Sequence, residues 1–177
     1  MLAAAIRPLL QELDYPLPLR PDDCRIGLVI LVSPVINAAA GPGQAAPCVF
    51  FTLGVTEGAM RRLSVDMLRA ILAHELGHVQ LGHFDARKAR AGTPIIFRPV
   101  SRVFGRAQEE EADRFAVQLL RKINAQHPGA CLALVYVFAL LAEQPPAPGA
   151  WRSIHPSPER RADTALAGCQ RRESSNF

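Results

Sequence analysis

Stretches with a clear apolar rhythm alternate along the chain with stretches broken by proline, and that alternation outlines the elements. Residues 3–13 suit a short leading helix, which the prolines at positions 16, 18 and 21 bring to an end. Residues 25–32 (RIGLVILV) form a short run rich in β-branched side chains and predict a buried strand. A loop through Asn37, Gly41, Pro42 and Gly43 follows, and residues 48–53 (CVFFTL) predict a second strand. Leu68, Ile71, Leu72, Leu76 and Val79 then recur at helical spacing. Ser64 stands at the N-cap of that helix, and Asp66 in its first turn complements the helix dipole. The predicted helix runs to about His83. Further helices are predicted from about Ser101 to Ala125, from Ala130 to Ala142, and over a short span after Pro158. No proline falls in Cys48–Thr93, Val100–His127 or Gly129–Gln144, the spans where regular structure is expected.

Composition narrows the class. A chain of 177 residues fits one domain, and one of this size buries roughly 70% of the surface it exposes when unfolded. With 49% hydrophobic and 20% charged residues it reads as globular. The net charge of +4 comes without any long run of like charges, which argues against a dedicated nucleic-acid binder. The longest apolar run, Ala130–Ala142, falls short of the roughly 20 residues of a membrane span and predicts a buried helix, with no transmembrane segment. Arg7 and Pro8 interrupt the mildly apolar start, which does not resemble a secretory leader, so a cytoplasmic location is expected. Cys24, Cys48, Cys131 and Cys169 are far apart and form no C-x-x-C, so reduced, mostly buried thiols are expected.

One constellation carries chemistry. Residues 74–78 read HELGH, an H-E-x-x-H. On a helix His74 and His78 lie one turn apart on one face, where two imidazoles can share a Zn²⁺. Glu75 is rotated too far to ligate but can reach water at the metal, as metal-assisted hydrolysis requires. Gly77, on the metal-facing side, leaves room for another element to approach. A catalytic zinc site needs a third protein ligand. Position 84, where a metzincin would place it, is Phe84, and His83 lies off the face and reads as a non-ligand. In EEEADRFA (109–116), Glu109 shares a face with Ala112, Ala116, Leu120 and Ile123, so it points inward as the third ligand. Glu110 and Glu111 turn toward Arg114, Gln118 and Arg121, a solvated face. Asp113, one turn beyond Glu109, suits a hydrogen bond to the free ring N–H of a ligand histidine. His155, in a segment (HPSPERR, 155–161) that Pro156 and Pro158 hold extended or turned, is a catalytic candidate on a stiff loop that could face the metal. It either stabilises the oxyanion or occupies the metal's open position.

These motifs resemble the gluzincin metallopeptidases of the HtpX and CAAX-prenyl-protease type. The matching pieces are Asn37-Ala38, the HELGH helix, E-x-E-A-D at 109–113 and the His-Pro segment ending in Arg161. The resemblance covers about residues 25–165 and implies an endopeptidase with zinc on His74, His78 and Glu109 and with Glu75 as general base. It places Asp113 beside a ligand and His155 and Arg161 near the active centre. It also implies that the strand before the active-site helix, about Pro47 to Leu53, forms a rim that pairs with extended substrate. The expected fold is α+β and zincin-like, a single catalytic domain over residues 1–177 with a small sheet of three to four strands packed on the active-site helix. The expected partner is a polypeptide, unstructured or misfolded. A zinc-stabilised protein-binding or chaperone-like module that cleaves little is the alternative.

Overall fold

A computed structural model describes residues 1–15, 26–42, 51–83, 105–144 and 156–171. Its centre is a helix, α3 (Val65–Gln80), that is buried continuously from Leu68 to His78. The predicted cap is present: the Ser64 Oγ accepts the Met67 N–H at 3.2 Å, and Asp66 lies in the first turn. Leu68, Leu72 and Leu76 are fully buried. α3 packs against α1 (Leu2–Glu12), α4 (Arg106–Lys122) and α5 (Ala130–Glu143), with the sheet on its remaining side. α1 turns Ala5, Ile6, Leu9 and Leu10 into this core. The last helix, α6 (Pro158–Gln170), starts with Ser157 as N-cap and Pro158 in the first turn, where its missing N–H costs nothing. It lies against α5 and α4.

Among the described residues the sheet has three strands in the order β1-β3-β2. β1 (Ile26–Leu31) runs parallel to β3 (Phe51–Thr56), and β2 (Ala38–Pro42) runs antiparallel to it. Together with the helices this is the expected α+β architecture. Two local expectations need correction. Among the described residues β1 is an edge strand, not a buried one: Ile30 is 56% exposed and Val32, just beyond it, 90%. A short apolar run fits either setting, and the pairing of only one side of β1 decides it. The segment expected as a loop contains β2, whose sequence (AAAGP) lacks the β-branched signal of a strand. Its small side chains suit its place, because Ala38 and Ala40 are buried where β2 packs on α3. The second strand is present at Phe51–Leu53 as expected and continues to Thr56, with residues 48–50 outside the described set, and β3 runs directly into a short helix, α2 (Glu57–Arg62).

The start of β2 is tied down by side chains. Thr56 Oγ1 accepts the Asn37 N–H at 3.0 Å and donates to the Val35 carbonyl at 2.6 Å. The Gln144 carboxamide accepts the Ile36 N–H at 2.9 Å and donates to its carbonyl at 3.3 Å. A disulfide, Cys131–Cys169, joins α5 to α6 with 5.8 Å between Cα atoms. This overturns the expectation of reduced thiols for that pair. Sequence spacing could not choose a pairing, whereas the packing of α5 on α6 brings these two together. Among the described residues no helix is long and apolar enough to cross a membrane.

Candidate metal centre

α3 and α4 approach each other at Gly77. A Cβ built there would lie 3.0 Å from the Ala112 Cα and 3.1 Å from the Ala112 carbonyl oxygen, so the crossing depends on a residue without a side chain. This contact sets His74 and His78 opposite Glu109, all three buried. The Nε2 atoms of His74 and His78 are 3.2 Å apart. Glu109 Oε2 lies 3.4 Å from His74 Nε2, and Oε1 lies 3.6 Å from His78 Nε2.

Those distances can be tested against a metal. Four donors at 2.0–2.1 Å in tetrahedral array around zinc stand about 3.3–3.4 Å apart. The observed 3.2–3.6 Å spacings match the edges of such an array without rearrangement. The donor set fits as well: two imidazoles and one carboxylate suit a borderline-soft divalent cation. His74, His78 and Glu109 can therefore hold a metal ion.

Each imidazole is oriented from behind. His74 Nδ1–H donates to Asp113 Oδ1 at 2.8 Å, leaving Nε2 toward Glu109. Asp113 is in turn held in a fork by Arg161, with Nε to Oδ2 at 2.8 Å and Nη2 to Oδ1 at 2.7 Å. The Arg161 guanidinium stacks over the Phe138 ring of α5 at 4.2 Å. On the other ligand, His78 Nδ1 lies 2.9 Å from His83 Nδ1.

Burial and charge tune these groups. Burial opposes charge on His74, but the hydrogen bond and charge of Asp113, with help from Glu109, raise its pKa to about 9 without metal. Burial, reinforced by the charge on His74, lowers His78 to about 2. For Asp113 burial works against the charge, yet Arg161 and His74 hold its carboxyl at about 2. Glu75 is raised to about 7, chiefly by burial, and its carboxylate accepts a hydrogen bond from the Ala40 backbone N–H of β2.

Several sequence-derived positions come together here. His74, His78 and Glu109 meet at one point, Glu75 is buried within the electrostatic reach of His74 and Glu109, and Asp113 accepts from His74 as expected. His83 is not one of the converging donors. His155 lies outside the described residues. Glu111 does not simply face solvent as expected: its Oε2 is 3.1 Å from His83 Nε2. Sequence reasoning missed Phe138, whose ring gave no signal beyond an apolar helix. The rim expectation also changes. β3 is the central strand, flanked by β1 and β2 through Phe51–Thr56, so it offers no open edge there. Among the described residues the edge next to α3 belongs to β2.

A small sheet on a buried H-E-x-x-H helix, with a carboxylate from a neighbouring helix completing the donor set, defines a zincin-type metallopeptidase domain. Two family models agree, one for Peptidase family M48 over residues 2–97 and one for Peptidase U49 over residues 51–177. Each spans more than half of the chain, and their overlap contains His74, Glu75 and His78. The chain belongs to these peptidase families, and the M48 match is consistent with the HtpX and CAAX-prenyl-protease resemblance. No curated protein and no solved structure matches it significantly.

Proposed function

We propose that the chain is a zinc-dependent metalloendopeptidase with His74, His78 and Glu109 as metal ligands and Glu75 as general base. The observation that carries this reading is the triangle of donor atoms, 3.2, 3.4 and 3.6 Å on its sides. Three protein ligands leave a fourth position open, as a catalytic zinc site requires. When bound, the ion supplies Lewis acidity, polarising a carbonyl and acidifying water.

The chain's own groups do the rest. Glu75 accepts a proton from the attacking water as hydroxyl adds to the carbonyl carbon. It returns that proton to the nitrogen as the C–N bond breaks. The Ala40 N–H steadies its carboxylate on the side of β2. The Asp113–Arg161 pair keeps His74 presenting Nε2. His155 is retained as a catalytic candidate on the sequence alone.

β2 is the surface for an extended polypeptide substrate. Asn37 accepts from Thr56 N–H at 3.0 Å, so its main chain faces β3. By antiparallel alternation Ala39 and Gly41 face β3 too, and the Ala38 and Ala40 carbonyls turn outward, while the N–H groups of those two residues donate to Asn37 Oδ1 and to Glu75. An unfolded segment can lie along that edge and donate its N–H groups to those two carbonyls, main-chain bonds that give affinity independent of sequence.

The test is Glu75→Gln. It should keep about one zinc per chain while casein cleavage falls by about 10²–10⁴-fold. A Glu75→Gln protein as active as wild type refutes the mechanism.

A further inference from the structure

α3 ends in a turn that returns a histidine to the back of the His78 ring. Gly82 adopts a left-handed conformation with φ +67°. The Gly82 N–H donates to the Val79 carbonyl at 3.1 Å, and the His83 N–H donates to the His78 carbonyl at 3.0 Å. These paired bonds are a Schellman cap, which reverses the chain at the helix end. His83 is thereby carried back beneath His78, and its ring is buried. Its Nδ1 lies 2.9 Å from His78 Nδ1, and its Nε2 lies 3.1 Å from Glu111 Oε2 on α4.

Proton counting fixes the direction of this chain of bonds. A carboxylate only accepts, so His83 Nε2–H donates to Glu111. A neutral His83 ring then carries its lone pair on Nδ1. With His83 accepting at Nδ1, the donor in the contact between the two Nδ1 atoms is His78 Nδ1–H. That proton placement leaves the lone pair of His78 on Nε2, which faces His74 Nε2 and the Glu109 carboxylate.

The geometry assigns His83 and Glu111 as positioning residues that hold His78 in its Nδ1–H tautomer, with Nε2 bare toward the metal. The assignment rests on reading His78 as a metal ligand. It makes the two imidazoles alike in design. Asp113 backs His74 directly, and Glu111 backs His78 through one intervening ring. Both carboxylates, and the ligand Glu109, come from a five-residue span of one helix. A fixed ring and a more basic nitrogen both favour metal binding, and losing such a partner typically weakens metal affinity by about 10–100-fold.

Two measurements on the full chain test this. Nitrogen-15 NMR of histidine-labelled wild type, with and without zinc, should find the His83 proton on Nε2 with Nδ1 unprotonated, and the His78 proton on Nδ1. A His83 proton on Nδ1 overturns the assignment. Zinc affinity by chelator competition should fall about 10–100-fold in His83→Leu. It should stay within about threefold of wild type in His83→Asn, whose Oδ1 accepts where Nδ1 did. Equal affinity in His83→Leu and wild type, or equal weakening in both variants, overturns it. If His83→Leu does not fold, the NMR result and the His83→Asn affinity decide. A wild type that binds no zinc defeats the metal-centre reading instead, and the tautomer of His83 in that protein still tests the relay.

Discussion

Replacing Gly77 by alanine probes how the two helices set the site. A new Cβ would sit 3.0 Å from the Ala112 Cα, 3.1 Å from its carbonyl oxygen and 3.3 Å from its Cβ. Carbon atoms are comfortable at about 3.5–4.0 Å, so α3 and α4 must part by roughly 0.5 Å or more. Neither Ala112 backbone atom can swing aside as a long side chain would. The two distances that cross between the helices, 3.4 and 3.6 Å, should lengthen by a similar amount. At about 3.9 and 4.1 Å they would stand well beyond the roughly 3.3–3.4 Å edge of a tetrahedral zinc site. The stability effect is smaller, because overpacking costs about 1–3 kcal/mol and alanine recovers about 1 kcal/mol of helix propensity. Gly77→Ala should therefore lose metal affinity by tenfold or more, about 1.4 kcal/mol, with metal-free stability lowered by about 0–2 kcal/mol. Chelator competition and urea unfolding of metal-free protein measure the two separately. A variant that binds zinc as tightly as wild type, and is stabilised by about 1 kcal/mol as at an exposed helical glycine, would falsify the packing argument.

Other consequences are testable in the same way. His74 has its pKa raised to about 9 in the metal-free chain, so below that pH a proton must leave before Nε2 can bind metal. Apparent zinc affinity should climb from pH 7 to pH 9 and then level, and calorimetry in buffers of different ionisation enthalpy should detect proton release at pH 7.5. Affinity that is flat across that window contradicts the shift. The same raised pKa means that the His74 contribution to metal-free stability is complete below about pH 6.5 and is lost as pH rises through about 9. Metal-free protein should thus be easier to unfold by urea at pH 9 than at pH 7. Arg161→Met keeps the contact with Phe138 but strips the buried Asp113 of its guanidinium, which should cost about 3–5 kcal/mol in urea unfolding. A loss below about 1 kcal/mol would mean that His74 alone satisfies Asp113.

The centre was legible in the sequence because it obeys helical periodicity. His74 and His78 at i and i+4, and Glu109 at the head of an apolar row, follow from the wheel alone, as does Asp113 one turn on. Elsewhere the wheel says less. It leaves His83 off the metal face, as it is, but gives no sign that the left-handed turn at Gly82 brings that ring under His78. Glu111 reads as solvated on the wheel because its partner arrives from another element. β2 was invisible because its residues are chosen for small size against α3, not for strand propensity. The exposure of β1 depends on strand order, and the Cys131–Cys169 bond on how α5 meets α6. Both are tertiary facts that a local pattern does not carry.

The central claim is that His74, His78 and Glu109 converge on one cation. Elemental analysis of purified wild type beside His74→Ala and Glu109→Ala measures it most directly. The account predicts about one zinc per wild-type chain after dialysis, and a much smaller fraction in each folded variant. Wild type that stays metal-free under zinc-replete conditions, or variants that retain a full equivalent, would contradict it.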